Sequence, residues 1–115
     1  MQALALMLKA LSEEIRLRII ALLSGGELCV CDLMAVLDLP QSTISRHLSY
    51  LKNAGWVDGE RRGVWMYYRL SEERDPGQQE LRQAVLALLA EEARVKEDRQ
   101  KLISFLQTKK VNACG

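Results

Sequence analysis

The chain of 115 residues has few aromatic residues, two prolines, a single histidine and no long apolar run. No segment approaches the roughly 20 apolar residues that a membrane-spanning helix needs. The apolar start of the chain also lacks the basic segment of a secretory signal. We therefore expect a cytoplasmic protein without a membrane partner. Three cysteines are too few for a disulfide scaffold, and in the cytosol they suit soft ligands or redox sensing.

The overall amino-acid composition is that of an ordinary globular domain. Hydrophobic residues make up 49% and charged residues 27% of the chain, which excludes a disordered or collagen-like protein. The length suits one domain over residues 1–115. The formal net charge is only +1, yet residues 41–70 carry five basic and two acidic side chains. This local excess does not identify a partner by itself, although it shows where an anion would be attracted.

Hydrophobic spacing predicts a mainly helical fold with one small β-hairpin. Ser12 is placed to cap a second helix, which the Gly25-Gly26 pair ends. Two segments rich in β-branched and aromatic residues flank a turn at 61–63, which predicts the hairpin. The expected elements are helices over 3–11, between Ser12 and Ser24, over 28–37, 41–54 and 78–108, and strands over 56–60 and 64–70.

A short helix, a three-residue turn, a second helix and a basic hairpin together predict a winged helix-turn-helix. The helix over 41–54 has an apolar stripe and an otherwise polar face. Short hydroxyl side chains let the backbone approach DNA, longer ones reach base edges, and basic residues at the hairpin tip attract phosphates. A polar face alone is usually just solvated, and only the joint pattern favours DNA binding. The predicted DNA-binding residues are Gln41, Ser42, Thr43, Ser45, Arg46, His47, Arg61 and Arg62.

Cys29 and Cys31 lie at the expected start of the helix-turn-helix. On a regular α-helix, side chains two residues apart point about 200° away from each other and could not share one ion. The first turn is less constrained, and its N-terminal end favours the thiolate form that binds soft metals. Ligand binding at these cysteines would change the conformation of the helix over 28–37, which supports the predicted DNA-recognition helix over 41–54. The alternative is a pair of small buried core residues, and Cys114 is either an incidental thiol or a third ligand.

Three segments together resemble the ArsR family of metalloregulatory repressors: ELCVCDL at 27–33, QSTISRHL at 41–48 and GVWMYYRL at 63–70. The resemblance runs from about Leu4 to Leu70, and the cysteine pattern is similar to that of the arsenic(III)/antimony(III)-sensing branch. It implies a dimeric winged helix-turn-helix repressor that binds double-stranded operator DNA as a homodimer and leaves when the metalloid binds. It further implies dimerisation through 1–11 and 78–108, around a helix-turn-helix at 28–54 and a wing at 56–70.

The resemblance also implies the ligands. Cys29 and Cys31 match the first two metalloid thiols of that branch, with As(III) or Sb(III) as the inducer and no organic cofactor. The third cysteine of the usual pattern is replaced here by Met34, a weaker ligand. The third ligand stays open among Cys114, a small external thiol and no protein group. Cadmium and lead sensors of the family use further N-terminal cysteines and zinc sensors use histidines on the last helix, and this chain has neither.

Three other functions remain alternatives. A repressor of the same family could sense another soft metal ion or thiol oxidation through the same cysteines. An enzyme would need a set such as Asp38, Ser42 and His47, but a spacing of five residues on one helix suits a Ser–His hydrogen bond poorly. We therefore expect no enzyme. A thiol metallochaperone would need neither a reading helix nor a basic wing.

Overall fold

The computed structural model describes residues 1–72 and 75–111, which form a helical domain with one small sheet. The elements are α1 (Gln2–Lys9), a 3₁₀ turn (Ala10–Ser12), α2 (Glu14–Leu23), β1 (Leu28–Cys29), α3 (Val30–Leu37), α4 (Gln41–Asn53), β2 (Val57–Arg62), β3 (Trp65–Leu70), α5 (Pro76–Ala90) and α6 (Ala93–Val111). Among the described helices, none is both long and apolar enough to cross a membrane.

The core lies where α2, α3 and α4 meet. The apolar stripe predicted for α4 is confirmed, because Ile44, Leu48 and Leu51 are fully buried. Trp56 is also fully buried at the base of the wing, and its indole N–H donates a hydrogen bond of 2.9 Å to the backbone carbonyl of Met7. This bond fixes α1 against the connection between α4 and the sheet.

The predicted turn between α3 and α4 is confirmed. Asp38 ends α3 in the left-handed region, with φ of 54°, a conformation that aspartate tolerates better than most residues. Its backbone N–H donates to the carbonyl of Met34 at 2.9 Å. Pro40 then begins α4 from an extended conformation, so the two helices form a helix-turn-helix.

Two predicted helix starts are wrong. Glu13, not Ser12, caps α2, since its carboxylate accepts the backbone N–H of Ile15 at 3.0 Å. The helix expected from Leu28 begins only at Val30, because Leu28 and Cys29 pair with β3 as a third strand. The sheet order is β1-β3-β2 and all neighbours are antiparallel. The cysteine segment is therefore joined to the wing by a backbone ladder.

The single long helix predicted over 78–108 is also wrong, because α5 and α6 are separated at residues 91–92. Leu89 and Val95 are both buried in the core. On one straight helix these positions would point about 120° apart, so the break lets both pack inward. The backbone N–H groups of Glu91 and Glu92 bond three residues back, to the carbonyls of Leu88 and Leu89, which ends α5.

The last helix is held against α2 by a buried ion pair. Asp98 is 1% exposed and accepts two hydrogen bonds from the guanidinium of Arg18, at 2.8 and 2.9 Å. Such a bidentate pair fixes orientation as well as distance. It directs the far end of α6 along α3, toward the two cysteines.

Candidate functional site

The two thiols lie side by side at the start of α3. Cys29 is the N-cap, with an extended backbone (φ −74°, ψ 154°), and its Sγ lies 3.0 Å from the Sγ of Cys31. The backbone N–H of Cys31 also donates to the Cys29 Sγ at 3.4 Å. Because Cys29 lies outside the regular helix, the separation of about 200° expected for an α-helix does not apply. The two sulfurs are therefore neighbours in direct contact.

Asp32 holds this arrangement from the inside. Its carboxylate is buried and accepts the backbone N–H of Cys29 at 2.8 Å. Cys29 and Asp32 thus cap the first turn of α3 reciprocally, in the way a capping box does. This bond makes Asp32 a capping partner at the start of α3. A change at either sulfur consequently acts on the hydrogen bonds that begin the helix.

Lys109 on α6 completes the surroundings of the thiols. Its Nζ lies 2.7 Å from the Asp32 carboxylate and 3.7 Å from the Cys31 Sγ. The ammonium group therefore lies between the carboxylate that caps α3 and the sulfur of Cys31. Sequence reasoning missed Lys109, because 77 residues separate it from Asp32 and no local pattern signals so distant a contact.

The donor atoms suit a soft ion of low coordination number. Within residues 1–72 and 75–111, no group of three or more histidine, cysteine or acidic side chains converges on a metal position. Two thiol sulfurs are the soft donors that thiophilic ions select. Cys114, the third ligand considered from the sequence, lies outside the described residues.

The outer face of α4 presents most of the predicted DNA-binding residues together. Gln41, Ser42 and Arg46 are exposed, and Thr43 and Ser45 are half-buried beside them. None of them belongs to the apolar stripe that packs inward. The face is therefore polar, carries one positive charge from Arg46, and has short side chains at its centre.

The prediction that His47 reaches base edges is corrected by its burial, since it is only 7% exposed. Its position explains this, because His47 follows Ile44 by three residues and precedes Leu51 by four, which places it on the buried stripe. That spacing is a sequence signal that could have excluded it. Burial, and to a smaller extent the charges of Arg16 and Arg46, lowers the pKa of His47, against an opposing effect of Glu13.

The two arginines at the wing differ in their surroundings, although both are exposed. Arg62 forms ion pairs with Glu27 at 2.7 Å and Glu60 at 2.6 Å, and its guanidinium lies 4.6 Å from the centre of the Tyr67 ring. The hydrogen bonds that Arg62 donates to Glu27, and then those to Glu60, raise the pKa of Arg62. Arg62 therefore links the wing to Glu27, two residues before the first thiol.

Arg61 instead lines a cavity of about 290 Å³ between α3, α4 and the wing. Cys31 and Met34 of α3 form one wall of this cavity, and Gln41 and Ser45 of α4 form another. The side chains from the wing include Arg61, Trp65, Met66 and Tyr68. Residues of the thiol site and of the predicted DNA-binding face thus share one space.

Known proteins with similar sequences are regulators. The model of the family described as "Bacterial regulatory protein, arsR family" matches residues 13–58. The chain is 52% identical over 64 residues to the arsenical resistance operon repressor of Escherichia coli K12, covering 55% of each chain. It is 46% identical over 61 residues to the cadmium resistance regulatory protein CadC of Listeria innocua, covering 52% of this chain and 51% of that one. The chain therefore spans about half the length of these curated relatives.

Solved structures show a similar fold over more of the chain. The transcriptional repressor BigR of Xylella fastidiosa is 32% identical, with a TM-score of 0.62 covering 76% of this chain and 83% of that one. A homodimeric winged helix-turn-helix DNA-binding domain of Mycobacterium bovis is 27% identical, with a TM-score of 0.64 covering 77% of both chains.

The fold and the exposed face of α4 are those of a winged helix-turn-helix protein, as the sequence predicted. The similarity to the curated and solved relatives described above then establishes the family of this chain. The chain belongs to the ArsR family of bacterial regulatory proteins.

Proposed function

We propose that this chain is a transcriptional repressor that binds operator DNA as a homodimer and is released when As(III) or Sb(III) binds Cys29 and Cys31. The observation that carries the proposal is the distance of 3.0 Å between the two sulfurs at the N-cap of α3. This helix supports the one whose polar face would enter the major groove. The name of the Escherichia coli relative, an arsenical resistance operon repressor, supports the same inducer.

DNA binding is assigned to the exposed face of α4 and to the wing. In proteins of this architecture the second helix of the motif enters the major groove, and a dimer meets two half-sites about one helical turn apart. The residues proposed for contact are Gln41, Ser42, Thr43, Ser45 and Arg46 on α4, with Arg61 and Arg62 on the wing. His47 is left out because its side chain is buried.

The homodimer is supported by apolar side chains that the described fold leaves exposed. Leu4 and Leu8 on α1 are 43% and 46% exposed, and Leu88 on α5 is 74% exposed. Leucines four residues apart lie on one helix face, and burying such a face against a second copy would stabilise a dimer. The homodimeric state of the Mycobacterium bovis domain supports this arrangement.

Coupling between inducer and DNA would run through the cap of α3 and through the sheet. The Cys29 Sγ accepts the N–H of Cys31, so a sulfur engaged by arsenic loses that bond and the first turn changes. Cys29 also pairs with Tyr67 of β3, which carries the change to the wing. Both DNA-contacting elements are thus connected to one ligand site.

A titration of operator-bound protein tests this function. Full-length protein is bound to a fluorescently labelled operator, and arsenite is added under a phosphine reductant while DNA anisotropy is followed. We expect release of DNA by the parent protein and by a Cys114→Ser control, and no release from the Cys29→Ser/Cys31→Ser double variant. A double variant that responds to arsenite as the parent does would overturn the proposal.

A second candidate is a repressor that senses another soft ion or oxidation. The paired sulfurs suit Cd²⁺ and disulfide chemistry as well as arsenic, and the Listeria innocua relative is named for cadmium resistance. The same titration with Cd²⁺ or peroxide separates the two candidates. Release by either of these agents, with arsenite leaving the complex intact, would favour the second candidate.

We assign no catalytic role and place the protein in the cytoplasm, where operator DNA and reduced thiols are found. The Asp38, Ser42 and His47 set is not assembled for hydrolysis, because Ser42 is exposed whereas His47, on the same helix, is buried. The curated relatives are transcriptional regulators, which agrees with this assignment.

A further inference from the structure

The cavity of about 290 Å³ beside the thiols is far larger than a bound hydroxide would need. A water molecule has a share of about 30 Å³ in the liquid. Cys31 and Met34 line this cavity, and Arg61 lines it as well. The lining combines apolar surface with one cation and with the hydroxyl and amide groups of Ser45 and Gln41. Such a mixture suits a small organic anion.

Trivalent arsenic bound to the two cysteines would have one coordination position left for a third ligand. Each As(III) centre forms three bonds, and the described residues bring two sulfurs together at 3.0 Å. Outside these two, no third histidine, cysteine or acidic side chain joins them in the part of the chain that the structure describes. The remaining bond therefore points to a group that is not a side chain of the described site.

We propose that this cavity binds a small thiol carrying a carboxylate, whose sulfur becomes the third ligand of arsenic while Arg61 binds its carboxylate. The proposal rests on the function proposed above and names the species that completes its ligand site. Arg61 is the better partner of the two wing arginines, because Arg62 already pairs with Glu27 and Glu60. Met34, whose thioether is a weak ligand, would contribute contact surface.

The reaction of arsenite with the three thiols is balanced without any oxidant or reductant. Cys29, Cys31 and the small thiol each give up one proton and each replace one hydroxyl group of As(OH)₃. Three S–As bonds form, three As–O bonds break, and three water molecules leave. Arsenic stays trivalent and every sulfur keeps its oxidation state.

The location of the cavity gives this third ligand a direct effect on DNA binding. Gln41, Ser45 and Arg61 line the cavity and are also proposed DNA contacts. An anion seated there would neutralise Arg61 and occupy the space between α4 and the wing. Release of DNA would then combine competition for these side chains with the change at the cap of α3.

The experiment uses full-length protein with Cys114→Ser, so that the tail cannot supply the third sulfur. Arsenite is added with a phosphine reductant and with either mercaptoacetate or the neutral thiol 2-mercaptoethanol. Native mass spectrometry measures the adduct, and X-ray absorption counts the sulfur neighbours of arsenic. We expect two sulfur neighbours with arsenite alone, and three together with the mass of one thiol after mercaptoacetate is added.

Variants at exposed arginines test the role of the cation. Arg61→Gln should weaken mercaptoacetate capture about three- to fivefold, as expected for a partly exposed ion pair, and should leave 2-mercaptoethanol capture unchanged. Arg94→Gln, on the exposed surface of α6, is the matched control and should behave as the parent.

Four results would overturn the inference. Three sulfur neighbours before any thiol is added would show that the protein itself fills the position. An Arg61→Gln variant equal to the control would remove the carboxylate contact. Arsenite that binds through Cys29 and Cys31 and releases DNA without capturing a thiol would refute the inference while leaving the proposed function intact. Absence of arsenic binding under all conditions would refute both.

Discussion

Lys109 and Asp32 form an ion pair of 2.7 Å between the end of α6 and the first turn of α3. The same carboxylate accepts the backbone N–H of Cys29, so one buried group connects the last helix to the first thiol. The conformation of the cysteine segment is therefore set partly by α6, which begins more than 60 residues later in the sequence.

The Lys109–Asp32 pair should contribute measurably to stability. Lys109→Met removes the cation and leaves a buried carboxylate with its hydrogen bond to Cys29, so we expect a loss of about 1–3 kcal/mol in the free energy of unfolding. Urea denaturation measures this loss. Lys96→Met, on an exposed position of the same helix, is the control. Equal stability of the two variants would show that the Lys109–Asp32 pair does not contribute to the free energy of unfolding.

The Arg18–Asp98 pair should matter more, because Asp98 is almost fully buried and the contact is bidentate. Asp98→Ala leaves the Arg18 guanidinium without its partner, and we expect a loss of about 3 kcal/mol or more. Thermal and urea unfolding of the parent and variant provide the comparison. If the Arg18→Met/Asp98→Ala double variant is no more stable than Asp98→Ala alone, an unpaired Arg18 is not the cause of the loss.

Stability should depend on pH through His47, the only histidine of the chain. Burial lowers its pKa in the folded state, below the ordinary value of about 6.5 expected in the unfolded chain. The unfolded state therefore binds the proton first, and the free energy of unfolding falls as the pH drops from about 7.5 to 5.5. Urea titrations across this range should show the fall in the parent and a flatter profile in His47→Gln. A parallel profile in both proteins would exclude His47 as the cause.

The two wing arginines should differ in their effect on DNA binding. Arg62 must give up contacts with Glu27 and Glu60 before it meets a phosphate, whereas Arg61 lines the cavity that Gln41 and Ser45 also line. Arg61→Gln should reduce the slope of log Kd against log salt by about 1, and Arg62→Gln by less. Anisotropy titrations at several salt concentrations provide the slopes. A larger reduction in Arg62→Gln would contradict this order.

Local spacing predicted most of the secondary structure because it reports which side of an element is apolar. The stripe of Ile44, Leu48 and Leu51 located α4, and the change of pattern after Trp56 located the wing. The same periodicity, applied strictly to His47, would have excluded it from the DNA-binding set. The N-cap of α2 is Glu13 rather than the predicted Ser12, and propensity alone does not decide between two neighbouring residues.

The distant contacts could not be predicted in this way. Nothing near Leu28 indicates that it pairs with Tyr68 of β3, and nothing in residues 78–108 alone shows that Leu89 and Val95 must face one core. Those outcomes depend on surfaces supplied by other parts of the chain. The site residues assigned to metalloid and DNA remain predictions that the experiments above address.

By itself the sequence determined the helix-turn-helix, the wing and the proximity of two cysteines to it, because each follows from the order and spacing of neighbouring residues. Only the tertiary structure decided how those cysteines are held. The pairing of β1 with β3 keeps Cys29 extended, and the approach of Lys109 secures Asp32. Both effects come from burial and hydrogen bonding between segments far apart in the chain, which local propensity does not encode.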